Sequence, residues 1–549
     1  MHSKSESIGD NMYQIVKDLT AMGYRRAGTT PAKNAEKYVY DKFKEVGIKT
    51  TILEPINFMR WYPENYELVI ISEQTPGVSE DVSIETFPAW YSGSTPKEGI
   101  TAEVVYVGYG TKSDFKDIDV RGKIILVEGK MLLNFFSTRN SRIIDSLKYA
   151  KRYGALAIIG INSSPLDSIT YTGLEAQWKD SKNENLPCLS IKNDDGKFLK
   201  FLCTRHKQKL TVRFLEISKK MPETSNTVIG ILPGKTDDII LIASHLDSTF
   251  TGALDNASGN AGLIALASFY AKIPKEEREK TLWFVGWTGH EAGGIGVFSF
   301  VEMHEDILNK IATYVCLDGF GCDGYYNQID GGVIDTRLDE KRGLFITDNK
   351  VLTSFIIDAV LKYRLLPAAY VSAKTLPAAD LPPLVVRDVP SILVIGKPIW
   401  YHTKYDTIDK LTPEQLERTA KAHIEIIDRI LETPTKIIKE ADGKLLDIKS
   451  LITPNKEIKK PSISFQIIPE VPIQGEDAIF VPTTLDSPES IILSFEWDFG
   501  DGKKVNQLLM RHRYIKPGVY LVKLKATDNY GNIGEFEKIL KVLNKNILK

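Results

Sequence analysis

The chain has 549 residues, of which 43% are hydrophobic and 26% charged, and its formal net charge is −1. These figures are ordinary for a soluble globular protein of three or four domains. No basic tract is interleaved with aromatics, which excludes nucleic acid as an expected partner, and no apolar run approaches the roughly 18 residues of a membrane span.

The opening MHSKSESIGDNMYQ has no apolar core, so no signal peptide is read there. NMYQIVKDLTAMGY and PAKNAEKYVYDKFKEVG carry apolar residues at helical spacing; the second is introduced by Thr30-Pro31 and stopped by Gly47. KTTILEPINF and YELVIIS read as strands. From about Ser72 the character changes. TAEVVYVGYG, GKIILVEG, ALAIIGI and LTVRFLEI are short strands bounded by glycine and polar turns, with one helix, SRIIDSLKYAKRYG, among them. This block has no catalytic cluster of its own. It is expected to be an inserted domain, 75–218, that divides a larger domain into 1–74 and 219–434.

After Pro222 strands and helices alternate. NTVIGIL, DIILIAS, TLWFVGW, IATYVCLD and VPSILVIG are strand candidates, and helices are predicted over 259–272, 294–303, 352–363 and 412–432. The alternation predicts an α/β fold: a mostly parallel mixed sheet sandwiched by helices. Residues 435–460, Lys-rich with little periodicity, read as a linker. From 461 to 549, SISFQIIP, DAIFVPTT, IILSFEWDFGDG, GVYLVKLKATD and EFEKILKVL predict a β-sandwich. Cys188, Cys203, Cys316 and Cys322 are too few for a disulfide framework and read as free thiols, with Cys188/Cys203 the pair available in an oxidising compartment.

The chemistry concentrates where predicted strands end. HLDSTFTGALDN (His245–Asn256) lies between a hydrophobic run and a small-residue helix. TLWFVGW leads into TGHEAGG with His290 and Glu291. IATYVCLD ends on Asp318, and VPSILVIG leads to YHTKYD with Tyr401, His402 and Asp406. A parallel sheet delivers all of these to one edge. One His-x-Asp would be weak; four strand-end loops each supplying a ligand-type residue are specific. Two imidazoles and three carboxylates suit two metal ions sharing a bridging carboxylate and a water. With a bridging hydroxide such a site carries no net charge and is far cheaper to bury than a charged one.

HLDS…GALDNASG, FVGWTGHEAGGIG, LDGFG and YHTKYDTID resemble, in order, the motifs of the co-catalytic zinc aminopeptidase family, which includes bacterial leucyl and aminopeptidase-Y-type enzymes and the glutamate carboxypeptidase and transferrin-receptor branch. The resemblance covers 1–74 and 219–434. It implies a zinc-dependent exopeptidase with two Zn2+ per chain and a peptide or protein substrate. His245, Asp255 and Asp318 would hold one ion, and Asp255, Glu291 and His402 the other. Asp247 would buttress His245, Asp406 would do the same near His402, and Tyr401 would stabilise the oxyanion. The insert resembles a protease-associated domain through VRGKIILVEG, YGALAIIGINSS and LPCLSI. The C-terminal block resembles a polycystic-kidney-disease (PKD) repeat through FEWDFGDG and HRYIKPGVYLVKLKATDNYG; Trp497 is expected in its core and the domain is expected to act as a stalk. These added domains lead us to expect an extracellular or cell-surface location, with the cytoplasm as the alternative.

One position departs from the family pattern. Two adjacent glutamates are usual where this chain has His290-Glu291; the second is the metal ligand and the first the general base. An imidazole, with a reference pKa of about 6.5, can take the proton of the attacking water, and two nearby dications should hold it neutral. After proton uptake it becomes a cation beside those ions, which predicts a slower enzyme with a raised pH threshold. Unlike glutamate, histidine cannot attract a substrate ammonium, which weakens the case for simple aminopeptidase specificity. Three readings stay open: a working base; a third nitrogen ligand or spectator in a metal-binding or scaffold protein with little hydrolase activity; and a different amide chemistry, such as the N-terminal cyclisation of one branch of the family. Tyr370, Trp400 and residues 325–335 are candidates for the pocket wall, with simple packing as the alternative for each.

Overall fold

The computed structural model describes residues 7–112, 114–116, 118–129, 141–162, 167–170, 173–174, 178–179, 185–205, 209–321, 323–327, 333–396, 398–441, 455 and 457–544. Its centre is an eight-stranded mixed sheet made of β1 (Thr50–Ile70), β2 (Leu210–Leu232), β3 (Ile239–His245), β4 (Thr281–Trp287), β5 (Ile311–Cys316), β6 (Arg342–Ile346), β7 (Ala368–Ser372) and β8 (Ser391–Gly396). Hydrogen-bonded pairs give the order β1-β2-β4-β3-β5-β8-β6-β7. The four inner strands β4, β3, β5 and β8 are mutually parallel, so their carboxyl ends share one edge. Their sequences are almost continuously apolar because both faces are covered by helices.

Those helices form for local reasons. In α1 (Ile8–Ala21) Ser7 and Asp10 make a reciprocal capping box, and Met12, Ile15, Val16 and Leu19 form the buried stripe. In α2 (Thr30–Glu45) Thr29 is the N-cap and Pro31 occupies the first turn. The small residues of α3 (Gly259–Ala271) let it run close to the sheet: a Cβ on Gly259 would lie 2.6 Å from the Leu317 carbonyl oxygen. α4 (Ile295–Met303), α5 (Lys350–Lys362) and the amphipathic α6 (Pro413–Glu432) complete the layers.

The structure corrects several expectations. KTTILEPINF and YELVIIS are one strand, β1, paired with β2 from Thr50↔Ile231 to Ile70↔Val212 and irregular only between Pro63 and Asn65. β2 likewise runs without a break from the insert into the central sheet, so the insert stands on a two-stranded ribbon. Within the insert the strands Ile100–Tyr106, Ile124–Gly129, Ala157–Asn162 and Cys188–Ile191 are successively parallel. A second helix, Asn193–Arg205, joins the one expected. The expected linker begins with a helix, Thr435–Glu440, anchored by the fully buried Ile438. Cys188, Cys203 and Cys316 are free thiols; Cys322 lies outside the described residues.

The C-terminal block has two facing antiparallel sheets, one with strands Ser462–Ile468, Asp477–Asp486 and Met510–Arg513, the other with Ile491–Asp498, Gly518–Asp528 and Ile533–Val542. Trp497 is fully buried between them, its indole N–H donating to the Gln507 carbonyl at 2.9 Å. The block does not hang free as a stalk. Ile491 and Ile492 pair in parallel with Ala368 and Ala369 of β7, extending the central sheet.

Candidate dimetal centre

At the shared edge of the inner strands five ligand-type side chains meet. His245 is the last residue of β3. Its Nδ1–H donates to the Asp247 carbonyl oxygen at 3.1 Å, which leaves the Nε2 lone pair facing inward. Nε2 lies 3.0 Å from Asp255 Oδ1 and 3.8 Å from Asp318 Oδ1. His402 Nε2 lies 3.0 Å from the other oxygen of Asp255, Oδ2, and 3.3 Å from Glu291 Oε1. Each carboxylate oxygen of Asp255 therefore addresses a different imidazole, and each imidazole has a second carboxylate of its own.

The cluster fits divalent cations. Asp255 Oδ1 and Oδ2, Asp318 Oδ1 and Oδ2, Glu291 Oε1 and His245 Nε2 are buried and make no hydrogen bond, an arrangement too costly to persist without positive charge among them. Ligand atoms of His245, Asp255 and Glu291 all lie within 4.8 Å of one another. Nitrogen and carboxylate donors at this spacing suit zinc-type ions. Without cations the cluster draws protons onto its imidazoles. Burial, the largest influence, lowers both, yet Asp247, Asp255 and Asp318 raise His245 well above the imidazole range, and Glu291 and Asp255 raise His402 to about 10.

The surrounding loops are fixed by polar groups, and Asp247 also supports His245 as expected, its Oδ1 3.4 Å from Nδ1. The Asp247 carboxylate accepts the backbone N–H groups of His290 and Glu291, both at 3.0 Å, so its side chain ties the β3 loop to the β4 loop while its carbonyl orients His245. Asp406 supports the loop of Asp255. Its Oδ1 and Oδ2 accept the N–H groups of Leu254 (2.8 Å) and Asp255 (3.0 Å), which holds the bridging residue from behind. Burial, together with the nearby charge of Asp255, pushes Asp406 up to about 7 against those hydrogen bonds. Below the same loop the buried Arg25 guanidinium donates to the carbonyls of Leu246, Thr251, Gly252 and Leu19. Gly252, in the left-handed region at φ 51°, keeps this loop tight, since a Cβ there would lie 2.2 Å from the Asp255 carbonyl oxygen.

His290 stacks on His245, with ring centroids 4.3 Å apart. Its Nδ1–H donates to Asp380 Oδ1 at 2.7 Å. Burial works to lower its pKa, but Asp380 raises it to about 9. The sequence reading missed Asp380. It lies in the irregular stretch between β7 and β8, in KTLPAAD, which offers neither periodicity nor a ligand-type spacing. Tyr401 is buried and stacked on His402 at 3.9 Å. Burial first, then the charges of Asp255, Asp318 and Glu291, keep its hydroxyl protonated. Tyr370 and Trp400 are buried, and the Tyr370 hydroxyl donates to Asp348 at 3.0 Å, so Tyr370 packs and does not line an open wall. The side chains of residues 325–335 lie outside the described residues.

Residues 227–427 match peptidase family M28, residues 100–199 the PA domain and residues 459–542 the PKD domain. The peptidase family M28 match thus takes in every candidate ligand, from His245 to His402. Among curated relatives, Carboxypeptidase Q of Xenopus laevis is 25% identical over 319 residues, covering 57% of this chain and 65% of that protein. Carboxypeptidase Q of Homo sapiens is 28% identical over 297 residues, covering 52% and 60%. An aminopeptidase of Pseudomonas aeruginosa is 26% identical over 348 residues, covering 60% of each. The chain thus spans about three-fifths of the length of these curated relatives. Of solved structures, the aminopeptidase from Aneurinibacillus sp. strain AM-1 matches 79% of this chain and 97% of its own, with 25% identity and a TM-score of 0.58. The zinc aminopeptidase BSAP of Bacillus subtilis, 20% identical, matches 79% of this chain and 98% of its own with a TM-score of 0.58, a likeness of fold. The M28 fold of this chain is thus the zinc exopeptidase-like mixed sheet, with a PA insert and a C-terminal PKD domain.

Proposed function

We propose that this chain is a zinc-dependent exopeptidase that hydrolyses terminal peptide bonds, with His290 as its general base. The observation that carries the reading is the placement of Asp255, whose two oxygens face two separate His–carboxylate sets. His245, Asp255 and Asp318 would hold one zinc, and Asp255, Glu291 and His402 the second. When bound, such ions polarise the scissile carbonyl and acidify water.

The chain's own groups do the rest. Asp380 takes the Nδ1–H of His290, so the ring presents Nε2 as its basic atom. There it accepts a proton from the attacking water and returns it to the leaving nitrogen. Asp380 also offsets the charge of the imidazolium formed in between, the species the sequence reading expected to be penalised. The Tyr401 hydroxyl, kept protonated by its surroundings, is the donor available to the developing oxyanion.

The test is hydrolysis of amino-acid nitroanilides and N-blocked dipeptides with and without added zinc. We expect zinc-dependent turnover that falls by about 10²–10⁴-fold in His290→Ala. His290→Glu is expected to lose activity as well, because it would set two carboxylates against each other at the Asp380 contact. A large gain in that variant would show His290 to be a crippled base, and wild-type activity in His290→Ala would remove it from the chemistry.

A further inference from the structure

Arg26 is an arginine with too little to do. It is nine-tenths buried, with 9% of its surface exposed, and forms no ion pair among the described residues. Of its donors only Nη2 is engaged, by the Trp61 carbonyl, and Nε is buried without a hydrogen bond. The adjacent Arg25 shows the contrast: its guanidinium meets four backbone carbonyls. Arg342, also buried, pairs with Asp339. A guanidinium taken out of water without an anion is a standing cost unless a ligand supplies one.

Its setting is aromatic. The guanidinium lies against two indoles, 4.6 Å from the ring of Trp90 and 5.3 Å from that of Trp61. The two indoles are tilted by 36°, and together with Tyr91 they belong to an apolar cluster that includes Ala292 and has the partly buried Phe250 packed against it. Ala292 follows Glu291, and the Tyr91 hydroxyl donates to its carbonyl oxygen at 2.7 Å. Tyr91, which packs on both indoles, thus links the cluster around Arg26 to the loop that carries Glu291 and His290. Trp90 and Tyr91 come from the region between β1 and β2, so the insert side builds this cluster against the peptidase side.

We propose that Arg26 is the anchor for a substrate carboxylate, namely the free C-terminal carboxylate of the residue released, held by the guanidinium fork with that residue's side chain against the aromatic cluster. This rests on the exopeptidase reading and gives it a polarity: the chain acts from the carboxyl end. A guanidinium fork fits a carboxylate in a way that a single ammonium does not. An acidic side chain carries the same group, and the experiment separates the two sources.

Trp61 and Trp90 make binding visible without turnover. Quenching of tryptophan fluorescence is measured with N-acetylphenylalanine, its C-terminal amide, and N-acetylglutamic acid α-amide, on the zinc-loaded full chain and on Arg26→Gln and Arg26→Lys. The expected result is saturable binding of N-acetylphenylalanine about tenfold or more tighter than its amide, a preference lost in Arg26→Gln and reduced in Arg26→Lys. If Arg26→Gln does not fold, judged by its thermal transition, Arg26→Lys alone is decisive. Equal affinity for acid and amide, or an unchanged preference in the variant that folds, overturns the proposal. Tighter binding of the glutamic acid α-amide overturns the C-terminal assignment in favour of an acidic side chain. Failure of the exopeptidase reading would instead appear as no hydrolysis of any substrate, with the binding comparison still readable.

Discussion

At the scale of the residue, Asp247 shows how the site keeps its shape. Its carboxylate receives two amides from the neighbouring loop, and its carbonyl sets the tautomer of His245. Asp247→Ala removes both carboxylate acceptors, keeps the backbone carbonyl, and leaves every proposed ligand in place. Such supporting groups typically contribute about 10–100-fold in metal affinity or activity. We expect a loss of that size in kcat, with zinc retained less tightly on dialysis; wild-type values for both would deny Asp247 this role. The ligand set itself was legible because each member closes an apolar run or lies a few residues beyond one, and a parallel sheet brings such positions together. The partners of those residues were not. Asp380 meets His290 across 90 positions of sequence. Asp406 supports Asp255 through backbone amides, which no side-chain pattern announces.

At the scale of the element, the long ribbon of β1 and β2 is the piece most hidden in the sequence. Pro55, Pro63 and Asn65 break the alternation that marks a strand, yet the pairing continues across Pro55 and shifts only between Pro63 and Asn65. β6 and β7, five residues each, are too short to declare themselves. The ribbon also buries Glu216, which has no exposed surface and is pushed by burial up to about 8 from an ordinary value of 4.5. A raised carboxyl pKa means that the folded chain holds a proton the unfolded chain has released. The associated stability is fully present below about pH 4.5 and is lost as the pH rises to about 8. Glu216→Gln mimics the protonated acid. Its thermal midpoint should equal that of the wild type near pH 4.5, exceed it increasingly towards pH 8, and keep a constant lead above. A lead independent of pH would contradict the assignment.

At the scale of the whole molecule, three units share one continuous framework. The insert stands on the ribbon and is tied to the site by Tyr91 at Ala292 and by Glu85, 3.5 Å from Lys404, two residues after His402. The C-terminal domain continues the central sheet through Ile491 and Ile492. Its sandwich form was readable from alternation and turn residues, but its docking was not, because a two-residue bridge leaves no periodicity. Ile491 is fully buried in the same apolar cluster as Leu344 and Ile346 of β6. Ile491→Ala should cost about 2–5 kcal/mol and lower the temperature at which peptidase activity is lost; an unchanged inactivation temperature would make the domain an independent appendage. Everything functional in this account depends on Asp255 serving two ions at once. The most direct measurement is anomalous diffraction at the zinc edge from crystals of the zinc-loaded chain. Two peaks are expected flanking Asp255, one beside His245 and Asp318, the other beside Glu291 and His402. A single peak, or none at the carboxylate of Asp255, would contradict it.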